Sequence, residues 1–180
     1  HRLDSGTSGI IVAGKHRKSI LALFKLFKEK QVKKHYIALV QGRITPEQGV
    51  LRSYIRRVKE KFQHKMVPAE GTEEDAVLAE TEYKVKEQFK NYTLVELKLA
   101  TGKMHQIRVQ LQQAGHPILG DPLYGDKRMN EQWKQQLKRQ FLHAESLEFI
   151  HPFTGRIMNI KAPLPEDLEK IVMTLRREKR

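Results

Sequence analysis

Ala79-Glu80-Thr81-Glu82-Tyr83-Lys84-Val85-Lys86 alternates strictly, with Ala, Thr, Tyr and Val on one side and Glu, Glu, Lys and Lys on the other. Period two is the signature of a strand with one covered and one solvated face. A second stretch, 92–99, sets Thr93, Val95, Leu97 and Leu99 on one side. The two are expected to pair as a hairpin across the Lys90-Asn91 turn.

Beyond this hairpin, Met104, Ile107, Leu111 and Ala114 have helical spacing, and Gly115 supplies the stop. Residues 116–125 read as a loop punctuated by Pro117, Gly120, Pro122 and Gly125. A polar helix is expected over 130–139, then a strand over 141–149, a reversal at His151-Pro152-Phe153-Thr154-Gly155 and a further extended segment over 156–161. Leu168, Ile171, Val172 and Leu175 define an amphipathic C-terminal helix.

Upstream of the hairpin, Tyr36-Ile37-Ala38-Leu39-Val40 reads as a strand. Ile20, Leu23, Phe24 and Phe27 mark the apolar face of a helix, and Gly9-Ile10-Ile11-Val12-Ala13-Gly14 reads as a short buried strand. Residues 43–75 are the least regular part, polar and interrupted by Pro46, Pro68 and Gly71, and are expected to form an insertion or long hairpin, partly mobile. Strands dominate and short turns join them, so the fold class is α+β with a mixed, mostly antiparallel sheet. The 180 residues suffice for one domain with one core.

The formal net charge is +13, with basic clusters spread along the whole chain. Such a surface attracts polyphosphate, which makes nucleic acid the expected partner. The absence of cysteine excludes disulfides and zinc-thiolate sites and is compatible with a cytoplasmic address. No apolar run reaches the length of a membrane span, so no membrane partner is expected. His105, His116, His143 and His151 lack the i, i+4 spacing of helical zinc pairs. No metal is therefore expected, and these histidines are assigned to hydrogen bonds with backbone or RNA. Gly115–Gly125 lacks the lysine-hydroxyl pair of a phosphate loop, so no nucleotide cofactor is expected either.

Five blocks carry a resemblance. They are His1-Arg2-Leu3-Asp4-Ser5-Gly6-Thr7-Ser8-Gly9, Lys34 to Gly42, Thr101 to Val109, Gly115 to Gly125, and Leu142-His143-Ala144 through His151-Pro152 to Ala162-Pro163. In this order the chain resembles the RluA-type pseudouridine synthases, and within them most the RluC-like enzymes that modify large-subunit (23S) ribosomal RNA. The resemblance implies the pseudouridine synthase fold, with a catalytic cleft across the sheet flanked by helices. It also implies isomerisation of uridine to pseudouridine in structured RNA without metal or cofactor.

By the same resemblance Asp4 is the catalytic carboxylate, acting on a uridine flipped out of its stack. Tyr36 stacks on the uracil and helps deprotonate its C5, and Arg108 pairs with Asp4 and orients it. Arg2 fills the place vacated in the RNA, and Lys34, Lys103 and His105 contact the RNA. The cleft is expected to work as a monomer. Family members usually carry strands, and often an S4-type RNA-binding domain, ahead of the His-Arg-Leu-Asp block. The expectation is therefore a catalytic domain over 1–180 without them. Lys103, Met104 and Gln110 stand where arginine, threonine and histidine are common, and are expected at most to tune RNA contacts.

Other readings are the same chemistry on transfer RNA, a catalytically silent RNA-binding module, and a metal-dependent nuclease built on Asp4, Asp121 and histidines. Within 43–75, Arg52, Arg56, Arg57, Lys59, Lys61 and Lys65 are candidates for selecting the RNA, or else a flexible basic insertion. Neutralising all six is expected to lower RNA affinity and flatten its salt dependence. An unchanged salt slope in a binding titration refutes their role.

Overall fold

The computed structural model describes residues 1–60 and 63–178. In chain order these form β1 (Ser8–Gly9), α1 (Arg17–Lys28), β2 (Lys33–Gln41), β3 (Gln48–Glu60), β4 (Gln63–Ala69), β5 (Val77–Gln88) and β6 (Tyr92–Leu99). There follow α2 (Gln106–Gln113), α3 (Lys127–Trp133), β7 (Leu142–Ile150), β8 (Ile157–Lys161) and α4 (Glu166–Glu178). All eight strands join one sheet in the order β1-β7-β2-β6-β5-β3-β4, with β8 also on β7. Only β1 runs parallel to its neighbour, so the sheet is mixed and mostly antiparallel, as expected.

The alternating hairpin forms as read: Tyr83 pairs with Leu97 and Val85 with Val95. β2 and β6 lie at the centre, and Tyr36–Val40 and Tyr92–Val95 are buried at every position. A strand covered on both faces loses alternation and reads as a continuous apolar run. The four C-terminal helix residues singled out by spacing are all buried and join the main core cluster with Leu39, Leu94 and Leu97.

Helix α2 is anchored differently. Gln110 Nε2 donates to Leu51 O (3.1 Å), Ala79 O (3.1 Å) and Ser53 Oγ (3.2 Å), while its Oε1 accepts from Thr81 Oγ1 (2.7 Å). Gln106 Nε2 donates to Glu80 O and Thr81 Oγ1, both at 2.9 Å. Both glutamines are 2% exposed. Gln110 is thus a fastener between helix and sheet rather than a tuner of RNA contacts, because every polar atom of its amide is spent inside the protein.

Four expectations need correction. The 9–14 segment is not a buried strand: pairing stops at Gly9, Ile10 N makes one further bond to Ala144 O (3.1 Å), and Ile11 is 58% exposed. Helix α1 exists, but Ile20 and Phe24 face solvent and Leu26 is buried instead, with Leu23 and Phe27 packed beside it. The expected helix at 130–139 begins earlier, where Asp126 Oδ1 accepts from Met129 N (2.8 Å) and caps α3. Residues 43–75 are a long hairpin, as one reading had it, but a regular one. β3 pairs with β5 over Gln48–Ile55 and with β4 over Tyr54–Glu60, so its far half is a two-stranded arm. Pro68 is tolerated because β4 is an edge strand.

The loop that carries Asp4 is tied down by β1. Gly9 has φ +118°, and a Cβ there would lie 2.2 Å from Ala144 O. Gly9→Ala is expected to destabilise the fold by roughly 1–3 kcal/mol. An unchanged urea midpoint would show that this close approach contributes nothing.

Candidate functional site

Asp4 sits in a turn closed by Thr7 N donating to Asp4 O (3.0 Å). Gln140 Nε2 donates to Ser5 O (2.7 Å) and Thr7 Oγ1 (3.1 Å), and Arg139 Nη1 donates to Gly6 O and Ser8 Oγ, both 3.1 Å. Arg139 is itself held by a fork onto Asp167 at the start of α4 (2.8 and 2.9 Å). The turn is therefore stapled from β7's approach and from α4, which restricts where the Asp4 carboxylate can point.

Arg108 reaches Asp4 from α2. Its Nη1 donates to Asp4 Oδ2 at 3.4 Å, a long contact. Its fork closes on another carboxylate: Nε to Asp121 Oδ2 at 2.7 Å and Nη2 to Asp121 Oδ1 at 2.9 Å. The expectation that Arg108 would orient Asp4 is corrected to this extent, that the two-point grip is on Asp121 and Asp4 receives the remaining nitrogen. The reason is geometric, since Asp121 lies beside the guanidinium edge carrying Nε, with Oδ1 also fixed by Leu123 N (2.8 Å) and Tyr124 N (2.9 Å). Burial works against the Arg108 charge, but the hydrogen bonds and charge of Asp121, with the charge of Asp4, outweigh it and raise its pKa. The Tyr124 ring lies under the guanidinium at 5.0 Å.

Asp4 and Tyr36 line a cleft of about 880 Å³, and Arg108 stands behind Asp4 with its side chain 5% exposed. At Tyr36 the pairing of β2 with β7 skips Glu145, so a bulge lies beside this side chain. Burial, reinforced by the Asp4 charge, pushes the Tyr36 pKa up to about 12. Arg2, Lys34, Lys103 and His105 all line the same cleft, with Lys28, Lys30 and Lys33 at its rim. Burial, helped by Lys30, lowers the Lys34 pKa. His105 caps α2 in a left-handed conformation (φ 51°).

The structure thus brings every residue singled out for the site to one place. It adds Asp121, Tyr124, Gln106, Gln140 and Arg139, which the sequence reading did not use for this site. Asp121 and Tyr124 fall in the Gly115–Gly125 block, whose order of residues resembled the family; Asp121 had been considered there only for the nuclease reading, and Tyr124 had no role. The other histidines are structural: His116 Nδ1 meets Gln41 O (2.9 Å), and His143 bridges Ser8 Oγ (3.0 Å) and Ala162 O (3.1 Å). His151 Nδ1 accepts from the Thr154 amide (3.2 Å). A nuclease built on Asp4 and Asp121 is not supported, because both Asp121 oxygens are committed to Arg108 and backbone amides. Among the described residues no cluster of metal-ligating side chains forms.

Of the six basic residues of the hairpin, Arg52 pairs with Glu80, Arg56 with Glu73 and Lys65 with Glu60. Lys61 lies outside the described residues. Arg57 and Lys59 remain exposed, opposite Met66 and His64 on the two-stranded arm.

The site is thus a carboxylate backed by a buried guanidinium at the wall of a basic cleft in an α+β domain. Residues 1–113 match the family described as RNA pseudouridylate synthase, and the chain belongs to that family. It is 39% identical over 180 residues to ribosomal large subunit pseudouridine synthase C of Pasteurella multocida (strain Pm70), covering 99% of this chain and 54% of that protein. It is equally 39% identical over 176 residues to an uncharacterized RNA pseudouridine synthase of Chloroflexus aurantiacus (strain ATCC 29366 / DSM 635 / J-10-fl), covering 97% and 52%. The chain spans about half the length of these curated relatives. Among solved structures, Human RNA Pseudouridylate Synthase Domain Containing 4 superposes with a TM-score of 0.79 at 28% identity, covering 98% of this chain and 74% of that one.

Tyr36 and Tyr124 are both raised from the ordinary 10.0 to about 12, burial being the largest cause in each. The unfolded chain therefore releases these protons first, and stability that is fully present below pH 10 declines between about pH 10 and 12. Urea midpoints measured across this window should fall less steeply for Tyr36→Phe than for the unsubstituted chain. Equal slopes would show that Tyr36 titrates as in the unfolded chain.

Proposed function

We propose that this chain isomerises uridine to pseudouridine in RNA, with large-subunit ribosomal RNA as substrate and Asp4 as the essential group. The observation that carries this reading is Asp4 at the cleft wall with Arg108 behind it, itself gripped by Asp121. A buried arginine held on both sides cannot turn away, so it keeps the Asp4 carboxylate aimed without a metal. The target uridine is unstacked into the cleft, at a cost of a few kcal/mol offset by cationic contacts to the backbone. There the N1–C1′ bond breaks, the uracil turns, a C5–C1′ bond forms, and the C5 proton is finally exchanged for one on N1, leaving the composition unchanged.

Tyr36 is assigned the ring platform for the uracil. Its phenol is held protonated, so it serves as a neutral neighbour and not as a resting base. Arg2 is assigned the vacated place in the RNA, and Lys34 and Lys103 the flanking backbone. Action as a monomer is part of this proposal. No helix among the described residues is long and apolar enough to cross a membrane. With ribosomal RNA as the proposed substrate, the proposed place of action is the cytoplasm.

The test is pseudouridine mapping, by carbodiimide labelling and primer extension, of ribosomal and transfer RNA from cells carrying the unsubstituted protein or Asp4→Asn. A ribosomal site lost in the variant is expected, and its position names the substrate. A transfer RNA site would redirect the substrate, and no lost site with folded protein present would leave an RNA-binding module. Arg108→Lys is expected to lower kcat about 10²-fold with RNA affinity nearly kept, because an ammonium cannot grip Asp121 at two points and still reach Asp4. A parallel loss of affinity would instead place Arg108 in RNA binding.

A further inference from the structure

His105 is assigned above only to contact RNA, and a cation on a phosphate would be the simplest form of that contact. Its hydrogen bonding gives a different answer. The Tyr124 hydroxyl meets three groups: it accepts from Met66 N (2.8 Å), donates to Met66 O (3.1 Å) and lies 3.0 Å from His105 Nδ1. A phenol has one proton, and burial holds it there by raising the pKa to about 12. The proton can go to Met66 O or to His105 Nδ1, but not to both.

Met66 decides between them. It is 4% exposed and lies on the edge strand β4. The N–H and C=O of one strand residue point to the same side, and Met66 N points at Tyr124, away from β3. Giving the phenol proton to His105 would leave this buried carbonyl without its donor, and a buried acceptor left unpaired is costly. Giving it to Met66 O satisfies every group, provided His105 Nδ1 carries a hydrogen and donates to the phenol oxygen. A neutral imidazole with its proton on Nδ1 has a bare Nε2.

Two further observations bear on that nitrogen. Among the described residues Nε2 has no hydrogen-bond partner, and His105 lines the cleft that also holds Asp4. Burial lowers the His105 pKa, Arg108 and Arg2 acting in the same sense and Asp4 and Asp121 against it, which favours the neutral ring. The ring is also delivered from a left-handed backbone (φ 51°, ψ 17°), a conformation that persists where surroundings impose it.

We propose that Tyr124 locks His105 in its Nδ1–H form, so that Nε2 is a hydrogen-bond acceptor that reads a donor on the bound nucleotide, either the imide N3–H of the base or the ribose 2′-hydroxyl. An acceptor facing the imide separates uridine from cytidine, whose N3 is itself an acceptor. One facing the 2′-hydroxyl separates RNA from DNA. Tyr124 is then a positioning residue, acting through His105. The ligand assignment rests on the proposal that the cleft takes a uridine; the tautomer assignment does not.

The experiment is ¹⁵N NMR of the imidazole nitrogens, in which protonated and bare nitrogens have well-separated shifts. In the free protein at pH 7, His105 is expected to show a protonated Nδ1 and a bare Nε2. The opposite tautomer, or an imidazolium, overturns the proposal whether or not the protein is an isomerase. Saturating uridine 5′-monophosphate should then move Nε2 toward the hydrogen-bonded range. Loss of that movement with 3-methyluridine 5′-monophosphate identifies the imide, and loss with 2′-deoxyuridine 5′-monophosphate identifies the ribose. No movement with any of the three overturns the acceptor role. His105→Leu should weaken uridine 5′-monophosphate binding roughly five- to tenfold and abolish its advantage over the sensitive analogue. Tyr124→Phe should mix the two tautomers, and a folded Tyr124→Phe protein with an unchanged tautomer would remove Tyr124 from the mechanism.

Discussion

The fork of Arg108 on Asp121 is the constraint around which the cleft is arranged. Both side chains are at most 5% exposed, so neither charge could be left alone there. Removing one partner of such a buried pair costs about 3–5 kcal/mol. The pair links two elements that share no strand pairing, helix α2 and the loop between α2 and α3. It also sets the direction of the one guanidinium nitrogen left over, and that nitrogen faces Asp4. The weak-looking contact of 3.4 Å is thus the exposed end of a rigid arrangement.

Rigidity comes from polar fasteners as much as from apolar packing. Gln106 and Gln110 bolt α2 to β5 and β3, Gln140 holds the Asp4 turn, and Arg139 joins that turn to α4. Each is a long side chain whose amide or guanidinium bridges segments that backbone pairing leaves separate. Such networks favour one arrangement because a partly satisfied network is costly in a buried site. The cleft can therefore be wide and basic, with its working groups held from behind.

Legibility followed the number of faces each segment buries. Residues 79–99 were readable because one face of β5 is solvated, and Tyr36–Val40 because both faces of β2 are covered. Helix α4 was readable because it has one apolar stripe. Strand β3 was not, since much of it faces solvent or carries charge and Pro46 and Gly71 suggest irregularity. The stripe of α1 was misplaced because Ile20 and Phe24 look like core while Leu26 does the packing. At the site, Asp4, Tyr36 and Arg108 were found through a resemblance across five blocks, not from periodicity. Asp121, in a loop of glycines and prolines, entered only as a candidate of the nuclease reading and not as the partner of Arg108, and Gln110 was read at most as a tuner of RNA contacts. Partnership across 13 residues, as between Arg108 and Asp121, leaves no local pattern.

The Tyr124 hydroxyl has a second consequence, at the boundary of the sheet. β4 is an unpaired edge, and an edge with free N–H and C=O groups is a template for a foreign strand. At Met66 both groups are already occupied by the phenol, and two residues on Pro68 has no N–H to offer. A buried tyrosine and a proline thus act as stoppers against sheet-to-sheet association. The hydroxyl that meets His105 therefore also closes part of the sheet's open edge.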